Sequence, residues 1–314
     1  MSILQAPPAA RTPGAGTRVR RRRRRWEPVL YIAPAFVVMA LIIGYPVISA
    51  IGTSFLHSSL AAPGKDSFAG FSNYVDLIGS EEFLGVLGRT AVWAIASLVT
   101  QVGLALFVAN ILNKKLFARG FVRTSIIVPW VVPSVIVALI WRFLLDPAQG
   151  PINALLRNSG LLEAPPAWLA STATALPTLI VIGAWKWTPF AAVILLAGMQ
   201  QIPHEQYEAA TVDGASAFRR WFHITLPGIR TSLALVCLTT ISGSINNFNG
   251  IWLFTRGGPV GSTDILTTLA YRTAFQDLDL GMAATASVVI FVLMLIIAVV
   301  YFFVVEGRSK GRRS

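Results

Sequence analysis

Charge is scarce in this sequence. Only 13% of its 314 residues are Asp, Glu, Lys or Arg, about half the roughly 25% of an ordinary soluble domain, too few to cover a large water-facing surface. Acidic residues are scarcer than basic ones, 14 against 26. The single cysteine, Cys237, excludes an internal disulfide. The three histidines, His57, His204 and His223, are scattered, and zinc needs about four N, S or O ligands brought together, so no metal site is expected. No acid, base and nucleophile cluster stands out, so catalysis within the chain is not expected. The pattern G-x-x-x-x-G-K-[ST] is also missing, which leaves the chain no means of its own to cradle nucleotide phosphates.

Apolar residues make up the difference. They are 54% of the chain, mean hydropathy is +0.65, and they gather into runs. A bilayer core is crossed by about 20 apolar residues in a helix. Runs of that kind lie near 29–51, 88–112, 124–145, 176–198, 229–252 and 281–305, predicting an all-α integral membrane protein with six transmembrane helices. Basic residues alternate between the connecting segments. Eight arginines precede Glu27, Lys114, Lys115, Arg119 and Arg123 follow the second run, Arg219, Arg220 and Arg230 follow the fourth, and Arg308, Lys310, Arg312 and Arg313 end the chain. The alternate segments hold only Lys65, Arg157, Arg256 and Arg272. Lys and Arg stay on the cytoplasmic side, so both termini are expected there. Residues 1–28 read as a basic topogenic tail, with no role in nucleic-acid binding, and 306–314 as a second basic tail. The run from Val29 is longer than the roughly 7–15 residues of a signal-peptide core, so a multi-pass domain is expected over 29–305.

One polar stretch, 200–227, is too polar to span and too regular for a slack linker. Pro203 suits the first turn of a helix, which can run through Glu208, Ala209 and Ala210 to about Val212. Gly214 suits the turn that ends it. Phe218, Trp221 and Phe222 then share one face of a second short helix. By pattern alone this knob fits either a docking element for a partner or an amphipathic helix in the headgroup layer.

The stretch resembles the EAA loop of bacterial ABC importer permeases, E-A-A-x3-G-x9-I-x-L-P, with Glu208, Ala209, Ala210, Gly214, Ile224, Leu226 and Pro227 at the required spacing. Tyr207-Glu208-Ala209-Ala210 followed by Asp213-Gly214-Ala215 is similar to the carbohydrate branch of that family. So are Phe68-Ala69-Gly70-Phe71-Ser72-Asn73-Tyr74, the proline pair around Trp130 at Pro129 and Pro133, Trp185-Lys186-Trp187-Thr188-Pro189-Phe190 and Asn246-Asn247-Phe248 before Gly257-Gly258-Pro259. The resemblance covers nearly the whole chain after residue 28. It implies a permease of the bacterial inner membrane that pairs with a second permease. Two ATPase subunits bind ATP and Mg, and an extracytoplasmic binding protein delivers substrate. Glu208, Ala209, Ala210, Asp213, Gly214, Ile224, Leu226 and Pro227 are then expected to couple the chain to an ATPase, and no cofactor is expected in the chain itself.

Polar residues inside a membrane call for a reason. Lys186, about ten residues into the fourth run, sits where a lysine costs roughly 2.5–3.5 kcal/mol on insertion scales. It fits a substrate contact, a structural ion pair or a partner for a helix-end carbonyl. The fifth run carries Ser242, Ser244, Asn246, Asn247 and Asn249, which suits hydroxyl-rich ligands or interhelical bonding. Pro129, Pro133 and Pro189 are expected to break helices where irregular backbone lines a cavity. By resemblance, the sugar-lining positions of maltose-type permeases fall on Trp130, Ser134, Gly183, Lys186, Trp187, Phe190, Ser244 and Asn247. Gly183, Lys186 and Ser244 depart from the maltose pattern, which implies a sugar other than maltose itself. The alternative substrate is a glycerol phosphate or glycerophosphodiester held by Lys186. A secondary transporter is the remaining alternative, against which stand the lack of an internal repeat and of an intramembrane carboxylate.

Overall fold

The computed structural model describes residues 27–114, 119–162 and 164–310. The arginine run at 20–25, Lys115, Arg312 and Arg313 lie outside the described residues. The described residues divide into two units, one ending at Ile48 and one beginning at Ser49. α1 (Glu27–Met39) passes through a π-helical turn, Ala40–Gly44, into α2 (Tyr45–Ser54), whose residues from Ser49 onward count with the second unit. Leu30–Ser54 is long and apolar enough to span a membrane.

After α2 the second unit continues with a two-stranded hairpin, β1 (Leu56–His57) against β2 (Ser67–Phe68), and a short helix, α3 (Ser72–Gly79). Then comes α4 (Glu81–Asn113), whose N-terminus is capped by Ser80, its hydroxyl accepting from the Phe83 N–H at 3.2 Å. α5 (Arg119–Val131) and α6 (Ser134–Leu144) meet at 92°. α7 (Pro151–Asn158) leads to α8 (Ala175–Gln200), the best buried of the long helices. α9 (His204–Val212), α10 (Ala217–Arg220), a π-helical turn Trp221–Thr225 and α11 (Leu226–Gly228) follow. α12 (Arg230–Ile245), α13 (Phe248–Trp252), α14 (Leu266–Phe275) and α15 (Leu280–Lys310) complete the chain.

Among the described residues four helices are long and apolar enough to span a membrane on their own, and up to six spans result if each bent pair counts as one. The runs near 29–51, 88–112, 176–198 and 281–305 coincide with the four; the bent pairs are 120–131 with 134–144 and, at 70°, 217–228 with 230–245, so two of the expected runs are not single rods. The run at 124–145 breaks after Val131, because Pro133 has no N–H and disfavours helical dihedrals at the residue before it; Pro133 sits at φ −56°, ψ 142°. The run at 229–252 stops at Ile245. Beyond it the Asn247 side chain turns back to accept the Gly250 N–H at 3.0 Å and starts α13 instead. Pro129 and Pro189, expected to break helices, lie inside α5 and α8. A spanning helix tolerates proline where its neighbours re-satisfy the backbone.

α4 and α8 form the spine. Small residues let them approach, with Ala105, Ala109, Ala191 and Ala192 buried beside Leu112, Leu195 and Met199. α12 joins them closely enough that a Cβ on Gly198 would lie 2.5 Å from the Ser232 hydroxyl. A second cluster, from Leu77, Phe83, Val86, Leu266, Leu269 and Ala286, packs the end that carries the hairpin.

That end is tied by polar bonds between distant segments. The buried Asn73 amide donates to the Ser54 and Leu56 carbonyls at 3.0 Å each, and the Thr285 hydroxyl donates to the same Ser54 carbonyl at 3.2 Å. Leu280 and Gly281 donate their N–H groups to the Ser58 carbonyl. Arg272 pairs with Glu82 and with the buried Asp264, the latter at 3.0 Å. Partial burial works against the Arg272 charge, but Glu82 and Asp264 outweigh it and hold the guanidinium pKa above its ordinary value.

A Cβ on Gly281 would lie 2.1 Å from the Leu56 carbonyl oxygen, whereas Gly88 has open space. Gly281→Ala is expected to destabilise the purified protein by about 1–3 kcal/mol through overpacking. Thermal unfolding in detergent checks this against Gly88→Ala, for which no loss is expected.

Candidate functional site

Two helix breaks face one cavity. The break between α5 and α6 puts Trp130 at the end of one helix and Ser134 at the start of the other. The break at Asn246 and Asn247 leaves two amides between α12 and α13. With α4 and α8, the end of α5, α12 and the Asn246–Asn247 break line a cavity of about 460 Å³, among its residues Gln101, Trp130, Trp187, Phe190, Ser244, Asn246 and Asn247. Trp130 and Phe190 stack on each other, centroids 5.4 Å apart and planes 17° apart. They form one broad apolar wall with partly exposed faces. The polar side is held open by internal bonds. Asn246 Nδ2 donates to the Ser242 carbonyl at 3.1 Å, and the buried Trp93 indole donates to the Ser244 carbonyl at 2.9 Å.

The eight residues expected along a substrate path divide between two spaces. Trp130, Phe190 and Ser244 line the large cavity; Ser134, Gly183 and Lys186 line an adjoining narrow one of about 20 Å³; Trp187 and Asn247 line both. Lys186 is only 7% exposed. Its Nζ donates to the Val132 carbonyl at 2.6 Å and lies 5.4 Å from the Trp187 ring centroid. Val132 follows the last residue of α5, where carbonyls have no intrahelical partner. The side chain therefore satisfies the broken helix end, one of the roles its position in the fourth run allowed. Asn247 also has two tasks, since Oδ1 caps α13 while the residue faces the cavity.

Gln101, Thr239 and Thr240 line the same cavity and were missed in reading the sequence. Gln101 carried a usable signal: a buried amide near the middle of an apolar 33-residue helix needs a partner or a watery neighbour. The two threonines carried none, because a threonine hydroxyl can serve its own helix, as Thr239 does toward the Leu235 carbonyl at 2.9 Å.

The segment 200–227 forms an exposed, internally braced knob. Pro203 caps α9 from just outside it, and Gly214 turns the chain at φ +73°. The Gly214 and Ala215 N–H groups return to the Thr211 and Ala210 carbonyls. The Tyr207 hydroxyl meets the Thr225 hydroxyl at 2.9 Å, and Arg220 donates to Thr211, so α9 is fastened to α10 and to the π-helical turn Trp221–Thr225. Glu208, Ala209, Asp213, Gly214 and Pro227 are exposed, and Ala210, Ile224 and Leu226 are half-buried beneath them. Val212 and Phe218 are 89% and 73% exposed, which gives the knob an apolar tip.

Residues 101–309 match the family described as the binding-protein-dependent transport system inner membrane component. A probable ABC transporter permease protein of Brucella suis biovar 1 is 33% identical over 279 residues, covering 89% of this chain and 96% of its own. The trehalose/maltose transport system permease protein MalF of Thermococcus litoralis is 33% identical over 282 residues, covering 90% and 93%. Among solved structures, the fold is similar to a chain of a bacterial ABC transporter involved in import of the acidic polysaccharide alginate, with a TM-score of 0.77 and 25% identity over 88% of this chain and 94% of that one. Helices interrupted at one cavity, an exposed braced knob at 200–227, and matches along most of the chain lead to one assignment: this protein belongs to the binding-protein-dependent transport system inner membrane components, the permeases of ABC transporters.

Proposed function

We propose that this chain lines one half of the translocation path of an ATP-driven sugar importer. The observation that carries the reading is the composition of the 460 Å³ cavity, with Trp130, Trp187 and Phe190 on one side and Gln101, Asn246 and Asn247 on another. A pyranose ring has an apolar face and a rim of hydroxyls. Aromatic rings match the face, and amides donate and accept at once along the rim. The name of the Thermococcus relative, a trehalose/maltose permease, supports the same class.

In this reading a second permease completes the cavity, and the pair works in the bacterial inner membrane with both chain ends cytoplasmic, a placement the Lys and Arg distribution supports. The knob of Glu208, Ala209, Ala210, Asp213, Gly214, Ile224, Leu226 and Pro227 docks on one of two ATPase subunits, which bind ATP and Mg. An extracytoplasmic binding protein delivers substrate to the opposite face. Closure of the ATPases on ATP draws the knobs together and opens the cavity outward, and hydrolysis reverses it. The coupling lies in the different affinity of the two states for these partners.

Trp187→Ala is expected to lower sugar uptake by proteoliposomes of the full complex by roughly tenfold or more, the scale of losing one aromatic stacking face and its buried area. ATPase subunits should stay bound; unchanged uptake contradicts the cavity assignment. Gly214→Val forces a branched residue to positive φ, at a cost of roughly 1–2 kcal/mol. It is expected to cut co-purification of the ATPase subunits about tenfold, and full retention would rule out this docking role.

A further inference from the structure

On the side of α6 away from the narrow cavity, a second opening of about 230 Å³ is lined by Val135, Ala138, Leu139, Arg142, Trp252, Leu253 and Arg256. Both elements that build it also line the narrow cavity, α6 through Ser134 and Val137 and α13 through Asn249 and Gly250. The floor is apolar, and Trp252 forms an aromatic wall fixed from behind by Phe248 and Tyr271 at 5.4 and 4.7 Å.

Its two cations are without counter-charge. Among the described residues neither the Arg142 nor the Arg256 guanidinium has a hydrogen-bond or ion-pair partner. Acids on nearby segments are committed elsewhere. Asp146 accepts the Ala148 and Gln149 N–H groups, and Asp264 is taken by Arg272 and Thr268. The C-terminus of α6 favours a cation and accounts for Arg142. It does not account for Arg256, which is held at φ 53°, a conformation that costs an L-residue about 1–2 kcal/mol. Strain of this kind, kept where an ordinary turn residue would relax it, points to a functional position.

We infer that Arg142, Arg256 and Trp252 form an entry subsite for an acidic sugar, one whose carboxylate meets the two arginines while its ring lies against the tryptophan. A guanidinium offers a planar fork of donors that fits a carboxylate in two-point contact. Two like charges on one concave wall raise the local concentration of an anion before it reaches the narrower path. The inference rests on the sugar-import reading and narrows its substrate to glycans that carry carboxylates.

The test uses the full complex of this chain with its second permease, ATPase subunits and binding protein in proteoliposomes. Uptake is measured for a panel of uronate disaccharides and for their carboxyl-reduced, uncharged counterparts. The expected result is uptake of a uronate, lowered roughly tenfold or more by Arg142→Gln and by Arg256→Gln, the scale of one charge-assisted hydrogen bond. Uptake of uncharged sugars alone would overturn this subsite and leave sugar import standing. Uptake of neither class would overturn both. Equal losses for charged and uncharged sugars, together with weaker stimulation of ATP hydrolysis by the binding protein, would assign the arginines to docking that protein and overturn the subsite as well.

Discussion

The bond from Lys186 to the Val132 carbonyl is the contact on which the cavity depends. A helix end leaves carbonyls unpaired, and in a medium without water each costs several kcal/mol. At the break after α5 a lysine from α8 supplies the donor at 2.6 Å. It pins the end of α5 to the best-buried helix of the molecule and leaves α6 free to depart at 92°. Trp130 can then stack on Phe190 of that same helix, while Ser134 opens the narrow space beside it. Straightened, the two helices would pull Trp130 and Ser134 out of these positions.

A second interruption, at Asn246 and Asn247, answers the first across the cavity. There the protein supplies the missing partner from within the same segment, Asn247 capping the helix it begins. The two devices differ in reach: one joins residues 54 apart, the other residues three apart. The long-range bond ties helices together, and the local one sets only the direction of the chain. Around this interrupted middle the unit is stiff, with α4 and α8 in close contact through alanines and the hairpin end bonded to the start of α15.

Much of this was legible in the letters. Apolar runs marked the four helices among the described residues that can span a membrane on their own, because a helix must be apolar over its whole membrane length whatever it packs against. The turn at Gly214 was legible because glycine takes positive φ without a Cβ penalty, and it sits at φ +73°. The prolines were legible only in part. Pro133 breaks its span and Pro189 does not, since α8 is packed on several sides and α5 meets the break near its end. The partner of Lys186 lay beyond reading, because a contact 54 residues away leaves no local pattern. Gln101 looked like one more polar residue in a long helix until the cavity gave it a neighbour. Arg142 and Arg256 drew no notice as a pair, being more than a hundred residues apart in the chain.

The most direct measurement is the distance distribution between spin labels on α5 and α6, at Phe121→Cys and Phe143→Cys, both exposed, with Cys237 replaced, in the reconstituted complex with and without Lys186→Met. With Lys186 present the distribution should be narrow. Lys186→Met should broaden or shift it, because the end of α5 loses its only cross-helix donor among the bonds described. A distribution that Lys186→Met leaves unchanged would contradict the account, since the break would then hold without the contact from which the cavity is argued to follow.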